Sequence, residues 1–291
     1  MDFPTISELL LAILRSSSPL ILAAIAALFC ERCGVIQIAL EGFMLIGAFF
    51  AAAFATKLGG AAGLLFAAGV GVATAYVYGF LVIRLNVDQI IAGTVINMLA
   101  WGGLPIICRA IFNSSAGTPS LAIEQRLSSA TPIILALLIV FTAQFIIART
   151  PLGLWITFAG EKPEALNAVG LKPESIRFVA VLIGGFIAGL AGACLSVCLS
   201  SSYTRNMTAG RGFMALAALI LGKWRPIPVF FSCLLFGFCE VLQMRFQGVE
   251  LPLIGILPNQ LIQLTPYVVT LILLVGVIGG SHAPGKLGKS S

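Results

Sequence analysis

The chain has a single histidine, His282, and only 10% of its residues carry charge. An enzyme built within it would need a nucleophile with its base, paired carboxylates or clustered metal ligands, and such groups are too sparse to assemble one. Cys30 and Cys33 have CxxC spacing, but no second pair and no nearby histidine completes a metal set, so no metal is expected. All seven cysteines sit in or beside apolar runs, where a thiol behaves as a small buried hydrophobe. There is no phosphate-cradling P-loop, so any ATP hydrolysis linked to this chain belongs to another one. The 17 basic residues, against 11 acidic, lie at the ends of apolar runs and form no patch interleaved with aromatics, which argues against nucleic acid. The N-terminus lacks a basic start and a small-residue cleavage site, so residues 1–291 are expected to form one mature transmembrane domain.

What the sequence has in abundance is apolar surface. With 59% hydrophobic residues and a mean hydropathy of +1.07, one water-soluble core cannot hide it, and lipid must be the solvent. The uncharged run FVAVLIGGFIAGLAGACLSVCLS, residues 178–200, is long enough to cross a bilayer as a helix. A β-barrel would alternate apolar and polar residues, whereas these runs are apolar on every face. The fold class is therefore all-α: a polytopic transmembrane helical bundle of about eight to ten membrane segments, some short or re-entrant. Apolar segments fall at 16–30, 34–56, 61–83, 88–112, 131–148, 178–200, 213–222, 227–244 and 263–280. The residues before 16 are expected to lie along the membrane or to insert partly. Segment 213–222 is too short to cross upright and reads as a half-helix, while Gly248, Pro252, Gly255 and Pro258 break 246–262.

Residues 149–177 make the longest polar interruption, with Arg149, Lys162, Lys172 and Arg177 against three acids, which places this loop in the cytoplasm. The tail, with Lys286 and Lys289, is placed there too, and one short segment between loop and tail is expected not to span. Within the loop, Pro163 suits a first helical turn, Glu164 complements the helix N-terminus and Gly170 offers a stop, so a short helix over 163–169 is expected. It is either a contact for a soluble motor or an ordinary connector.

Polar groups inside apolar runs are expensive, and Glu31, Glu41, Asn97, Glu240 and Arg245 each need a reason. Glu31 and Arg32 read as an interfacial pair at a helix end. Gln37 and Glu41, four apart, would share a helix face and serve either pathway lining or interhelical contact. Asp88 reads as a helix cap, with Asn97 further along the same run. The stretch Tyr203–Gly212, including Asn206 and Arg211, is either a pathway constriction or a plain loop. Gly184, Gly185, Gly189 and Gly192 suit close helix packing.

Several of these pieces are found together elsewhere. Glu31-Arg32-Cys33-Gly34-Val35-Ile36-Gln37-Ile38-Ala39-Leu40-Glu41-Gly42 resembles the signature of ABC importer permeases for nucleosides and simple sugars, with Cys33 and Gln37 replacing the usual Ser and Asn. Asp88–Thr94 with Asn97, Met207–Phe213, Lys223–Pro226 and Pro266-Tyr267 extend the resemblance over about residues 18–280. It implies a bacterial inner-membrane complex of two permeases, identical or not, two ATP-binding subunits that hold ATP and Mg, and an extracytoplasmic substrate-binding protein. It also implies that Gly160, Glu161, Pro163, Glu164, Ala165, Asn167 and Gly170 form the helix that docks on the ATPase. Gln37, Glu41, Asn97, Asn206 and Arg211 are the candidates for lining the pathway. Nucleosides are the first expected cargo and simple sugars the second. An ion-driven secondary transporter, with Glu41 as its ion site, is the alternative of a different class.

Overall fold

The computed structural model describes residues 6–246, 250–251, 255–256, 268 and 284–288. Ten α-helices appear among them: α1 (Ile6–Arg32), α2 (Leu40–Leu58), α3 (Gly60–Gly79), α4 (Gln89–Phe112), α5 (Thr131–Arg149), α6 (Pro151–Glu161), α7 (Pro163–Ala168), α8 (Pro173–Ala193), α9 (Arg211–Leu221) and α10 (Pro226–Phe246). π-Helical turns prolong α3 to Arg84 and α8 to Leu199. The described β-structure is one two-residue antiparallel pair, Glu250–Leu251 with Gly255–Ile256, and an isolated bridge between Gly117 and Thr204. Seven helices are long and apolar enough to cross a bilayer: α1, α2, α3, α4, α5, α8 and α10. Apart from Val268, the apolar run 263–280 lies outside the described residues, as does most of 246–262.

Four expectations need correction. The N-terminal residues form no separate surface segment, because α1 runs unbroken from Ile6 through Pro19. Proline leaves the Arg15 carbonyl without its helical donor, and the Ser18 hydroxyl takes that carbonyl at 3.2 Å. The apolar run 34–56 is not one helix. Gly34, at φ +94°, ends the first span, and Cys33–Ala39 form a turn before α2. Gln37 therefore lies in that turn and shares no helix face with Glu41.

The interruption at 149–177 is largely helical. Pro151 opens α6 and the Thr150 hydroxyl accepts the Gly153 N–H, while α7 follows at nearly the expected place and ends where Gly170 adopts φ +79°.

The chain also returns across the bundle between α8 and α10. Beyond α8, Tyr203 O accepts the Thr118 N–H at 3.0 Å and Ser201 O accepts the Leu121 N–H at 2.7 Å, next to the end of α4. The chain then turns inward, and after α9 the Trp224 indole meets Glu31 at the opposite end, where α1 stops. The half-helix and the turn-rich stretch before it thus make one full passage together. This contradicts a non-spanning segment, and an even number of passages is what two endpoints on one side require.

α8 occupies the centre, with 72% of its most apolar stretch buried against 22% for α5 at the rim. Its small residues allow this: a methyl group at Gly185, Gly189 or Gly192 would overlap the facing backbone of α3 or α2. In lipid, where apolar burial between helices gains little, such close backbone contact supplies the packing energy.

Candidate functional site

A line of polar contacts runs from the basic end of the bundle to its middle. At that end, Gly160 lies in the last turn of α6, where a side chain would overlap the Arg32 carbonyl that closes α1. The Gly160 carbonyl accepts the Lys286 N–H at 2.9 Å, and Gly34 O accepts the Gly288 N–H at 3.1 Å. The C-terminal residues 284–288 are thereby laced between α6 and the 33–39 turn. The Lys286 ammonium also lies 3.5 Å from Glu164 on α7. Glu164 is fully exposed, and its own helix-start N–H, followed by Lys286, holds its carboxyl below the ordinary value.

The 33–39 turn is held from three sides. Gln89 accepts the Ile36 N–H at 2.8 Å, and the Tyr78 hydroxyl donates to the Ile36 carbonyl. Asn97 donates to Ile38 O at 2.9 Å and accepts the Gly42 N–H at 2.7 Å. Every buried backbone group pinned this way avoids the cost of an unmade hydrogen bond in an apolar medium.

Glu41, fully buried, carries the line onward. Its carboxylate accepts the Thr208 hydroxyl at 2.5 Å, the Gly210 N–H at 2.9 Å and the Gly212 N–H at 2.7 Å. α9 has no capping side chain of its own, so a carboxylate from α2 caps it inside the bundle. Beside it, the Arg211 guanidinium pairs with Glu240 of α10 at 2.5 Å, and the Ser16 hydroxyl of α1 donates to the same carboxylate. Glu31 accepts the Trp224 indole N–H at 2.7 Å and is buried, so it is tied inward to the loop after α9, and no ion pair joins it to Arg32 among the described residues. Asp88 caps α4 through the N–H groups of Ile90 and Ile91.

The structure thus places Glu41 and Arg211 in the first turns of α2 and α9 and Asn97 inside α4, each with protein partners. Asn206 stands apart, exposed in the 200–210 stretch with Tyr203, Arg205, Leu45 and Trp101 around a small cavity of about 170 Å³. Gln37 differs from all of these: it is fully buried, and neither the oxygen nor the nitrogen of its amide has a partner among the described residues. On α7 and its flanks, Glu161, Glu164, Ala165, Asn167 and Gly170 are exposed, Pro163 is half-buried and Leu166 anchors the helix inward. Gly160 is buried. No group of three or more His, Cys, Asp or Glu suited to a metal occurs among the described residues.

Sequence reasoning missed the partners. Thr208 lies 167 residues from Glu41, and Trp224 lies 193 from Glu31. Tyr78, Gln89 and Gly288 sit in segments with no local sign of the turn they hold. The one available signal was the cost of a carboxylate in an apolar run, which demands partners without naming them.

Many apolar spans, one half-helix started inside the bundle and an exposed helical elbow at the basic end define a multi-pass membrane permease. The chain belongs to the family described as branched-chain amino acid transport system / permease component, which matches residues 9–278. It is 34% identical to the guanosine ABC transporter permease protein NupQ of Bacillus subtilis, covering 98% of this chain and 96% of that one. It is 30% identical to the nucleoside ABC transporter permease protein NupC of Lactococcus lactis, covering 92% and 91%. A putative glucose ABC transporter permease protein of Haloferax volcanii is 33% identical, covering 91% and 90%. No solved structure matches the chain.

Proposed function

We propose that this chain is one of two permease subunits of an ABC importer for nucleosides in a bacterial cytoplasmic membrane. ATP and Mg are bound by a separate ATPase subunit, and an extracytoplasmic binding protein delivers the cargo. The second permease is either a copy of this chain or a relative. The observation that carries the coupling is the unbroken series from α7 through Lys286, Gly160 and Gly34 to the 33–39 turn, and from Glu41 to the start of α9. A push on α7 would reach the middle of the bundle through hydrogen bonds and backbone contacts, with little soft loop between. Motion of that turn and of α9 is then the step that alternates access, and Gln37, whose buried amide has no partner among the described residues, is the residue of the line that this motion would offer to a passing polar group. The nucleoside reading is supported by the names of two relatives, each matched over nearly its whole length.

The test is reconstitution of the complex in vesicles with ATP inside the lumen facing the ATPase. Glu164→Lys and Gly170→Phe should leave the chain in the membrane and keep ATP hydrolysis, yet abolish radiolabelled guanosine uptake. Unchanged coupling would remove α7 from the motor contact. ATP-driven uptake of glucose in place of guanosine would favour the sugar reading that the Haloferax relative supports. Uptake that follows an ion gradient without ATP would instead point to a secondary transporter.

A further inference from the structure

A cleft of about 640 Å³ opens at the basic end between α7 and the start of α8, with Arg84, Glu164, Lys172, Glu174, Arg177 and Lys286 on its walls. Its charges do not balance. Glu174 is 3.6 Å from Arg84, and Glu164 is 3.5 Å from Lys286, so each acid is already paired. Lys172 and Arg177 have no carboxylate within ion-pair distance among the described residues.

Arg177 is the more demanding of the two. It is only 5% exposed, and its guanidinium donates from Nε at 3.4 Å and Nη2 at 3.1 Å to a single acceptor among the described residues, the Ala159 carbonyl. A buried cation with one neutral acceptor keeps most of its desolvation cost and most of its fork of donors unused. A planar guanidinium next to a lysine at the edge of an open cleft is suited to a phosphate, which takes charge from both and hydrogen bonds from the fork.

We propose that this cleft binds a phosphate-bearing anion from the cytoplasmic side, either a soluble nucleotide or the headgroup of an anionic lipid. Bound there, the anion bridges α8 and the loop at Lys172 to the base of α7, and so fixes the helix that faces the motor. The site shares Glu164 and Lys286 with the outer end of the coupling series, lies apart from Glu41, and does not rest on the nucleoside reading.

The experiment uses the full chain, purified without its ATPase in a neutral detergent at constant ionic strength. Thermal unfolding midpoints and dissociation constants are measured with guanosine 5′-monophosphate, guanosine, inorganic phosphate, phosphatidylglycerol and phosphatidylcholine. Phosphate-bearing anions should raise the midpoint, and guanosine and phosphatidylcholine should not. Lys172→Gln, an exposed substitution that leaves the fold intact, should weaken binding by about tenfold, the loss of one charged contact, whereas Lys172→Arg keeps it. A response to phosphatidylglycerol alone assigns the site to a lipid headgroup, and a response to the soluble phosphates assigns it to a cytoplasmic nucleotide. An equal shift from matched chloride, or binding untouched by Lys172→Gln, overturns the proposal. So does indifference to every phosphate, the result if these cations serve only an acidic surface of the ATPase.

Discussion

Glu41 shows how one buried carboxylate can be required by the backbone of a distant helix. Its removal in Glu41→Ala strands the Thr208 hydroxyl and the Gly210 and Gly212 N–H groups, each at roughly 1–3 kcal/mol. The thermal midpoint of the purified chain should fall steeply, with Glu41→Gln between mutant and wild type because one amide oxygen still accepts. Equal midpoints for wild type and Glu41→Ala would show that α9 needs no cap from α2. At Glu164 the effect is one of pH. Its folded value lies below the ordinary one, so its contact with Lys286 contributes above the unfolded value and is lost as pH falls through the folded value. The tail should therefore stay docked through neutral and mildly acidic pH and loosen only below the ordinary carboxylate range, as followed by fluorescence from a probe at Gly285→Cys, which leaves Lys286 in place, with Glu164→Gln removing the step. The need for a partner at Glu41 was legible in the sequence, since a carboxylate in an apolar run is costly. Its identity was not, because nothing local ties α2 to residues 208–212.

At the scale of elements, the long spans were legible and the short interruptions were not, for one physical reason. A hydropathy window reports transfer to lipid and is blind to backbone conformation. The Cys33–Ala39 turn is nearly as apolar as the helices around it, so it vanished into one long run. The opposite error hid α6, whose apolar stretch Leu152–Phe158 is too short for a span and is flanked by charge. Its start was marked by Thr150 and Pro151, a cap and a first-turn proline. Both elements meet at Gly160, where added bulk would press on the Arg32 carbonyl. Gly160→Val should wedge α6 away from the turn, lower stability by roughly 1–3 kcal/mol and reduce guanosine uptake more than ATP hydrolysis in reconstituted vesicles. Loss of both activities in equal proportion would mean that Gly160 serves packing alone.

For the whole molecule, the decisive property is the parity of crossings. The basic residues Arg149, Lys162, Lys172 and Lys286 gather at one end with the α6–α7 elbow, and the positive-inside rule puts that end in the cytoplasm. Residues 113–130 and 200–204 meet at the other end. The passage through 200–221 needs no long apolar helix, because Glu41 satisfies the start of α9 and the surrounding spans shield the turns before it, as non-helical backbone at membrane depth requires. The described native cysteines are all buried, which leaves a quiet background for a membrane-impermeant maleimide. Glu164→Cys and Lys286→Cys should react only when the reagent is on the cytoplasmic side, and Glu124→Cys and Asn206→Cys only from outside. The informative pair is Asn206→Cys with Lys223→Cys: labelling from opposite sides requires the short α9 to complete a crossing, and labelling from one side would return it to a re-entrant hairpin and reverse the direction of α10.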